Sequence, residues 1–304
     1  MQPTVSIRPA ISVVVCTRNR GTAVVKTIES ILACGGPRFE IIVVDQSEDQ
    51  TTETSVAPYV ARGGVNYIRS STKGLAAARN IGIRSAQSEL IAFTDDDCVV
   101  GENWLQRFVA AFSQDRRIGI VHGNVLAGSR DTNSGFIPAY RRDKPFLATI
   151  IMDKFRANGI GACMGLRKRT WSALWGFDEA LGAGGQFRSA EELDFGLRAL
   201  LAGISIFEDP ELYVVHRGFR QWTDHGELVR GHLYGIGAMF AKHLKCGHWL
   251  VALYMMQLAW RWLFASPVVD FGRRPSRTLR LVAFLKGLLA GTRRPVDRVR
   301  NHYV

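Results

Sequence analysis

The stretch "LIAFTDDDCVV" (residues 90–100) runs from mostly apolar residues, Leu90 to Phe93, into three consecutive carboxylates, Asp95, Asp96 and Asp97, and then returns to Val99 and Val100. Two carboxylates about 5 Å apart repel by roughly 3 kcal/mol at an effective dielectric of about 20. Side chains alternate along a strand, so Asp95 and Asp97 share a face if the extended backbone persists. The pattern predicts a buried strand that ends in a charged edge, with something cationic beside it. A strand cap followed by a solvated loop is the plainer alternative.

Working outward, "ISVVVC" (11–16), "FEIIVV" (39–44) and "VNYI" (65–68) are further β-branched or apolar runs. Between them lie segments with helical spacing, such as Val24, Val25, Ile28, Ile31 and Leu32. Strand and helix alternating at roughly 25 residues predict βαβ units, a mainly parallel sheet and an α/β fold. Ligands of such sheets bind outside the carboxyl ends of the strands. Thr17, Arg18 and Asn19 follow the first strand, Asp45 and Ser47 the second, and the Asp triplet the fourth, so these residues converge on one edge. The turn after the first strand reads "TRNRG", without the glycines of a dinucleotide fingerprint, and there is no Walker A lysine loop. Phosphates would have to be held another way. A divalent cation on the triplet, Mg²⁺ or Mn²⁺, takes carboxylate and phosphate oxygens together.

The chain has 304 residues, room for one large domain or two modest ones. Its five cysteines are widely spaced with no CxxC, which predicts reduced, mostly buried thiols, not a disulfide frame or a zinc site. The start, "MQPTVSIRPA", has no apolar core of signal-peptide length, so export is not expected. The formal charge of +12 is concentrated: from Arg230 to Val304 thirteen Lys and Arg face Asp270 and Asp297, a balance of +11. Within that tail "WLVALYMMQLAW" (249–260) is twelve residues long, short of the about 20 needed to span a bilayer. "TLRLVAFLKGLLAG" (278–291) mixes apolar residues with Arg280 and Lys286, and Arg273, Arg274, Arg277, Arg293, Arg294, Arg298 and Arg300 lie around both segments. Apolar helices flanked by cations read as an anchor on an anionic membrane surface. The alternative is a core helix with solvated arginines. No nucleic-acid partner is expected, since neither a recognition fold nor interleaved aromatics accompany the charge.

An ordered set of segments resembles the family 2 glycosyltransferases. "ISVVVCTRNR" looks like the family's opening strand and nucleotide loop, and "IIVVDQSEDQT" like its second-strand aspartate segment, with Gln46 where an acid is often found. "KGLAAARNIGI" (73–83) is similar to the G-x-x-x-A-R-N-x-G helix, and "FTDDDC" stands at the place of the metal-binding DxD. "GACMGLRKRTWSALWGFDE" (161–179) resembles the acceptor-side segment. "SAEELDFGLRALLAGISIFEDPELYVVHR" (189–217) resembles the acidic catalytic helix and the strand after it. The resemblance implies a GT-A fold, a Rossmann-like nucleotide-binding mixed sheet flanked by helices, over residues 1–224. A basic, apolar helical extension, membrane-associated, would follow over 225–304.

It also implies roles. Asp97 would be a direct metal ligand, Asp95 would serve the metal or the ribose, and His216 would complete the coordination, a neutral imidazole suiting Mn²⁺. Thr17 and Asp45 would hold base and ribose, with Arg18 and Asp96 in the same donor site. Arg79 would fix the phosphate or the loop carrying the acids, or pair with a nearby carboxylate. The family usually shows Glu-Asp where this chain has Glu191-Glu192; alignment gives Glu192 the general-base position, with Glu191 as the substitute. An acidic first helical turn is the alternative reading of both. Asp194 would support that helix or the metal site, or stand on the acceptor side, where Trp175 would stack on an acceptor sugar and Asp178 would bind its hydroxyl. The implied activity is metal-dependent, inverting transfer from a nucleotide-diphosphate sugar, a UDP-sugar before GDP or dTDP sugars, with Mn²⁺ or Mg²⁺. The acceptor would be a lipid-linked or cell-surface glycan, met from the cytoplasm at the inner face of the cell membrane. A non-catalytic nucleotide-sugar-binding or scaffold protein of the same fold is the alternative.

Overall fold

The computed structural model describes residues 8–264 and 275–304. The first seven residues, and with them most of the segment read for export, lie outside the described residues, as do Arg273 and Arg274 of the basic set. The chain opens with β1 (Ile11–Thr17), α1 (Ala23–Leu32), β2 (Phe39–Asp45), α2 (Thr51–Ala61), β3 (Val65–Arg69), α3 (Leu75–Ser85) and β4 (Leu90–Asp95). It continues with β5 (Cys98–Val100), α4 (Trp104–Gln114), β6 (Ile118–Ala127) and the short strands β7 (Gly135–Phe136) and β8 (Phe146–Ala148). Then come β9 (Met164–Arg167), α5 (Lys168–Ala173), α6 (Glu191–Leu201), β10 (Ser205–His216), β11 (Arg220–Gln221), α7 (His225–Lys245), α8 (Trp249–Phe264) and α9 (Arg277–Arg293).

Nine strands form one mixed sheet in the order β3-β2-β1-β4-β9-β6-β10-β5, with β8 also on β10. The β3-β2-β1-β4 portion is parallel, and β9 runs antiparallel between β4 and β6. Alternation along the strands splits the core over the two faces. Val13, Val15, Ile41 and Val43 pack against α1, α2 and α4 on one side; Val14, Ile42 and Val44 pack in a cluster with residues of α3, α6 and α7 on the other. Gly82 of α3 permits that second contact, because a Cβ there would come within 2.3 Å of Val14. Residues of α7, α8 and α9, among them Leu233, Tyr254 and Phe284, belong to this same cluster.

Register decides what meets at the edge. Thr17 lies opposite Asp45 and Cys16 opposite Asp95, so β1, β2 and β4 end together. The antiparallel pairing of β10 with β5 sets His216 opposite Cys98, beside the triplet. The five cysteines are unpaired thiols.

Candidate active site

A cleft of about 560 Å³ opens at this edge, and Thr17, Arg18, Arg79, Asp95, Asp96, Asp97, Glu192 and His216 all border it. The turn after β4 aims the three acids differently. Asp96 accepts a 2.6 Å hydrogen bond from the Thr17 hydroxyl and stands 3.4 Å from Arg20 Nε. Asp97 pairs with Arg20 Nη2 through one oxygen and has His216 Nε2 at 3.1 Å from the other. Burial drives the Asp96 carboxyl up to about 6, against the Thr17 hydrogen bond and the Arg20 charge. Burial also raises Asp95, with Arg79 and His216 opposing it. At Asp97 burial is outweighed by His216 and Arg20, and the carboxyl falls below the usual range. The cation that the triplet demands is therefore supplied in part by Arg20, which the sequence reading missed although it lies in the quoted turn "TRNRG".

Ligand atoms of Asp95, Asp97, Cys98 and His216 lie within 4.8 Å of one another. Burial pushes the Cys98 thiol far up, so the two carboxylates and the imidazole are the readier donors of the set. His216 Nδ1 is 3.0 Å from the Pro138 carbonyl. Donation there leaves the Nε2 lone pair of a neutral ring turned toward Asp97, the second-shell device that orients metal-binding histidines. The buried Asp97 Oδ1 receives no hydrogen bond of good geometry despite its nearness to Nε2. Two acceptors facing each other lack a positive centre between them. Burial lowers His216, but the Asp97 carboxylate outweighs it and pushes the imidazole above its ordinary value. A mixed O/N donor set of this kind fits a divalent ion.

On the opposite wall, the first turn of α6 presents Glu191 and Glu192. The chain enters that helix through Arg188 and Ala190, both at positive φ (65° and 78°), a rare conformation for side chains of this type. Arg79, buried on α3 between the rings of Phe93 and Phe177, reaches Glu192 Oε1 at 2.9 Å and Glu191 Oε1 at 3.3 Å. Glu192 Oε2 accepts the Gly161 N–H at 2.7 Å. The Glu192 side chain is 23% exposed and borders the cleft, whereas that of Glu191 is 9% exposed and does not. Burial and the neighbouring Glu192 charge raise Glu191 to about 7, with Arg79 working the other way. Gly161 is a second residue the sequence reading missed; nothing in "GACMG" announces that its amide would hold a glutamate on another element.

The structure does not bring all the expected residues together. Asp194, expected to support α6, the metal site or the acceptor side, is fully buried; Lys242 Nζ (2.7 Å), His243 Nε2 (3.0 Å) and Arg198 Nε (2.9 Å) occupy its oxygens, so no sugar hydroxyl can reach it. Asp178 is likewise buried against Lys242 Nζ at 2.7 Å and the Tyr303 amide at 3.0 Å. Trp175 is exposed, in a turn held by Asn80, whose amide binds both the N–H and the C=O of Phe177 at 2.9 Å. It borders a separate polar cavity of about 810 Å³, with Arg300 above its ring at 5.3 Å. Asp45 is buried behind the cleft, its oxygens accepting from the Ser47 amide (2.8 Å) and the Tyr67 hydroxyl (2.7 Å).

The mixed α/β sheet, with acids at its carboxyl edge and a glutamate pair opposite, has the GT-A fold of the glycosyltransferases on which it superposes. Residues 12–172, more than half of the chain, match the model for glycosyl transferase family 2. The chain belongs to that family. It is 31% identical over 124 residues to glycosyltransferase AglE of Haloferax volcanii, a match covering 40% of each chain. To a probable N-acetylgalactosaminyltransferase 7 of Caenorhabditis elegans it is 32% identical over 117 residues, 36% of this chain and 20% of the relative. The chain thus spans well under half the length of these relatives. Among solved structures, a mannosyltransferase from Pyrobaculum calidifontis in complex with GDP-Man and Mn²⁺ superposes with a TM-score of 0.61 at 16% identity, covering 94% of this chain and 88% of that one. Residues 1–349 of S. aureus TarS in complex with UDP-GlcNAc give 0.55 at 21% identity, covering 72% and 64%. These likenesses show the shared fold.

Proposed function

We propose that the chain transfers a sugar from a nucleoside-diphosphate donor to an acceptor hydroxyl with inversion, Glu192 being the general base. The reading rests on one observation: acids from β4, a histidine from β10 and a glutamate from α6, distant in sequence, border one cleft. In the reaction the acceptor hydroxyl is placed against Glu192, whose carboxylate Gly161 and Arg79 hold in orientation. Glu192 takes the hydroxyl proton as the new bond from that oxygen to the anomeric carbon forms. The bond from the anomeric carbon to the diphosphate breaks on the opposite side, and the electron pair leaves with the nucleoside diphosphate. A Mn²⁺ or Mg²⁺ ion held by Asp97, Asp95 and His216 would neutralise charge on the departing diphosphate. Arg18, Arg20 and Arg220 border the same cleft and suit the phosphates, while Thr17 keeps Asp96 in place. Neighbours carrying UDP-GlcNAc and GDP-Man support a nucleotide-sugar donor, and the family resemblance puts UDP-sugars first.

The acceptor in this reading is a lipid-linked or cell-surface glycan, reached from the cytoplasmic side of a membrane. Among the described residues no helix is long and apolar enough to cross a bilayer. Support for peripheral contact comes from α8 and α9, which leave Trp249, Leu250, Leu253, Leu285 and Leu289 exposed beside Arg277, Lys286 and Arg293.

Thermal stabilisation by UDP, GDP, dTDP and CMP, with and without Mn²⁺, tests the donor site. Stabilisation by one of them that requires both metal and Asp97, and so is lost in Asp97→Asn, is the expected result. Glu192→Gln is expected to keep that stabilisation and lose transfer by about 10²–10⁴-fold. A variant that transfers normally would remove Glu192 from the mechanism, and a wild type that transfers nothing with any donor would return the non-catalytic reading.

A further inference from the structure

Behind the Glu192 carboxylate lies a second chamber of about 320 Å³. Pro138, Ile160, Ser189 and Glu192 border both it and the cleft, so the two spaces meet at the glutamate read as general base. The far wall is mostly apolar and belongs to the C-terminal helices, with Val229, Leu233 and Ile236 from α7 and Tyr254 and Leu258 from α8, while His122, Lys154, His232 and Arg280 add polar groups to the lining. Helical spacing divides α8 between two environments. Val251, Tyr254 and Leu258 face inward and are buried, while Leu250, Leu253 and Met256 stand exposed. One helix thus separates the chamber from an outward apolar surface.

Packing ordinarily closes such a space, because a void among aliphatic side chains costs stability in proportion to its volume. Ligand sites, by contrast, occupy roughly 300–1,000 Å³ with apolar walls and a few convergent polar groups. A sugar ring gains nothing from Val229, Leu233 and Ile236; a hydrocarbon chain does. We propose that this chamber takes the hydrocarbon chain of an amphiphilic acceptor, leaving the hydroxyl attached to that chain at Glu192. This assignment rests on reading Glu192 as the base. The outward apolar face of α8 favours a bilayer lipid as the source of the chain over a free amphiphile.

Binding of N-phenyl-1-naphthylamine to the full chain, followed by fluorescence and competed with alkyl glucosides of rising chain length, tests the assignment. Saturable binding is expected, with competition strengthening as the chain lengthens. Leu233→Trp, which fills the chamber, should weaken both probe and competitor at least 10-fold, while Leu253→Ser with Met256→Ser, on the outer face of α8, should leave them unchanged. Val229→Leu is the gentler second variant and should shorten the longest chain that competes; circular dichroism establishes that each variant is folded. Loss in the outer-face variant alone, or equal binding in wild type, Leu233→Trp and Val229→Leu, would overturn the chamber assignment. Displacement by phosphatidylglycerol vesicles that depends on Leu233 identifies a bilayer lipid, whereas displacement by soluble glucosides alone identifies a free amphiphile. Stabilisation by nucleoside diphosphate and Mn²⁺ is read in parallel. Its absence from wild type strikes the donor-site reading, and its presence with no saturable probe binding strikes the chamber alone.

Discussion

Two groups of buried carboxylates stand on this fold, and they are treated in opposite ways. At the cleft, Asp95, Asp96, Asp97 and Glu192, with Glu191 packed behind Glu192, meet the guanidiniums of Arg20 and Arg79 and the imidazole of His216, and Arg18 and Arg220 line the same space. Behind α6, Asp178 and Asp194 face Lys242 and Arg198, a balanced set that His243 joins as a hydrogen-bond partner. The chemistry follows how closely each acid is paired. Burial opposes ionisation of Asp194, yet Lys242 and Arg198 hold it well below the usual carboxylate range. In the cleft the same burial prevails, and Asp95 and Asp96 rise. A fully compensated cluster serves the fold, here by tying α6, α7 and Tyr303 together. The cleft acids are those to which the proposed divalent cation would supply the missing charge.

Removing one cation from each cluster should give the largest difference between them. Lys242 is fully buried between two aspartates, so Lys242→Met strands their charges and is expected to cost about 4 kcal/mol. For a chain of this size that corresponds to a fall of about 6 °C in melting temperature. Arg20, a third exposed, should cost no more than about 1 kcal/mol as Arg20→Met, because solvent and salt screen its pairs. Calorimetry on the two variants decides the matter; equal losses would dissolve the distinction.

The cleft group was legible in the sequence because its members announce themselves locally. Each acid or hydroxyl follows an apolar strand, and the strand ends are aligned by parallel pairing, which the βαβ rhythm already implies. The other group was not legible. Lys242 reads as one more cation of a basic tail and Asp178 as part of an acceptor segment, yet they meet across 64 residues. His243 and Asp194 meet across 49 residues. No periodicity encodes such pairings, so Asp178 and Asp194 looked like acceptor-side groups. Arg79 lies between these cases. The A-R-N run marks it, but its partner Glu191 is 112 residues away, and only the folded chain shows that it orients carboxylates. The choice between Glu191 and Glu192 turns on one residue, about a quarter of a helical turn; alignment puts Glu192 at the base position, and the Gly161 amide contact supports that reading.

That amide contact gives the next test, on the functional cluster alone. A Cβ at Gly161 would lie 1.8 Å from Glu192 Oε1 and 2.3 Å from Arg79 Nη2, so neither group could stay where it is. Gly161→Ala should therefore lower kcat by about 100-fold, the usual penalty for a displacement near 1 Å of a reacting group. Stabilisation by nucleoside diphosphate and Mn²⁺ should survive, since the triplet is untouched. Parallel loss of both would mean that Gly161 supports the whole cleft and not the glutamate in particular.

The smallest effect carries the most diagnostic sign. Asp96 rises from an ordinary 3.8 to about 6 on folding, so between those values the folded chain holds a proton that the unfolded chain has released. Its penalty is absent below the lower value, grows with pH and is complete above the upper one. Asp194 runs the other way: its stabilisation is present above the unfolded carboxylate value and is lost only as pH falls through its depressed folded one. Asp96→Asn keeps an acceptor for Thr17 and removes the charge. In metal-free buffer it should be more stable than wild type at pH 8 by about 1–2 kcal/mol and indistinguishable at pH 4. Adding Mn²⁺ should then stabilise wild type more than the variant and shrink the gap, because the ion supplies the compensation that burial had left out. Urea denaturation at the two pH values, with and without metal, measures all of this. A gap equal at pH 4 and pH 8 would be independent of the proton, and the contrast between the clusters would then be one of packing and not of charge.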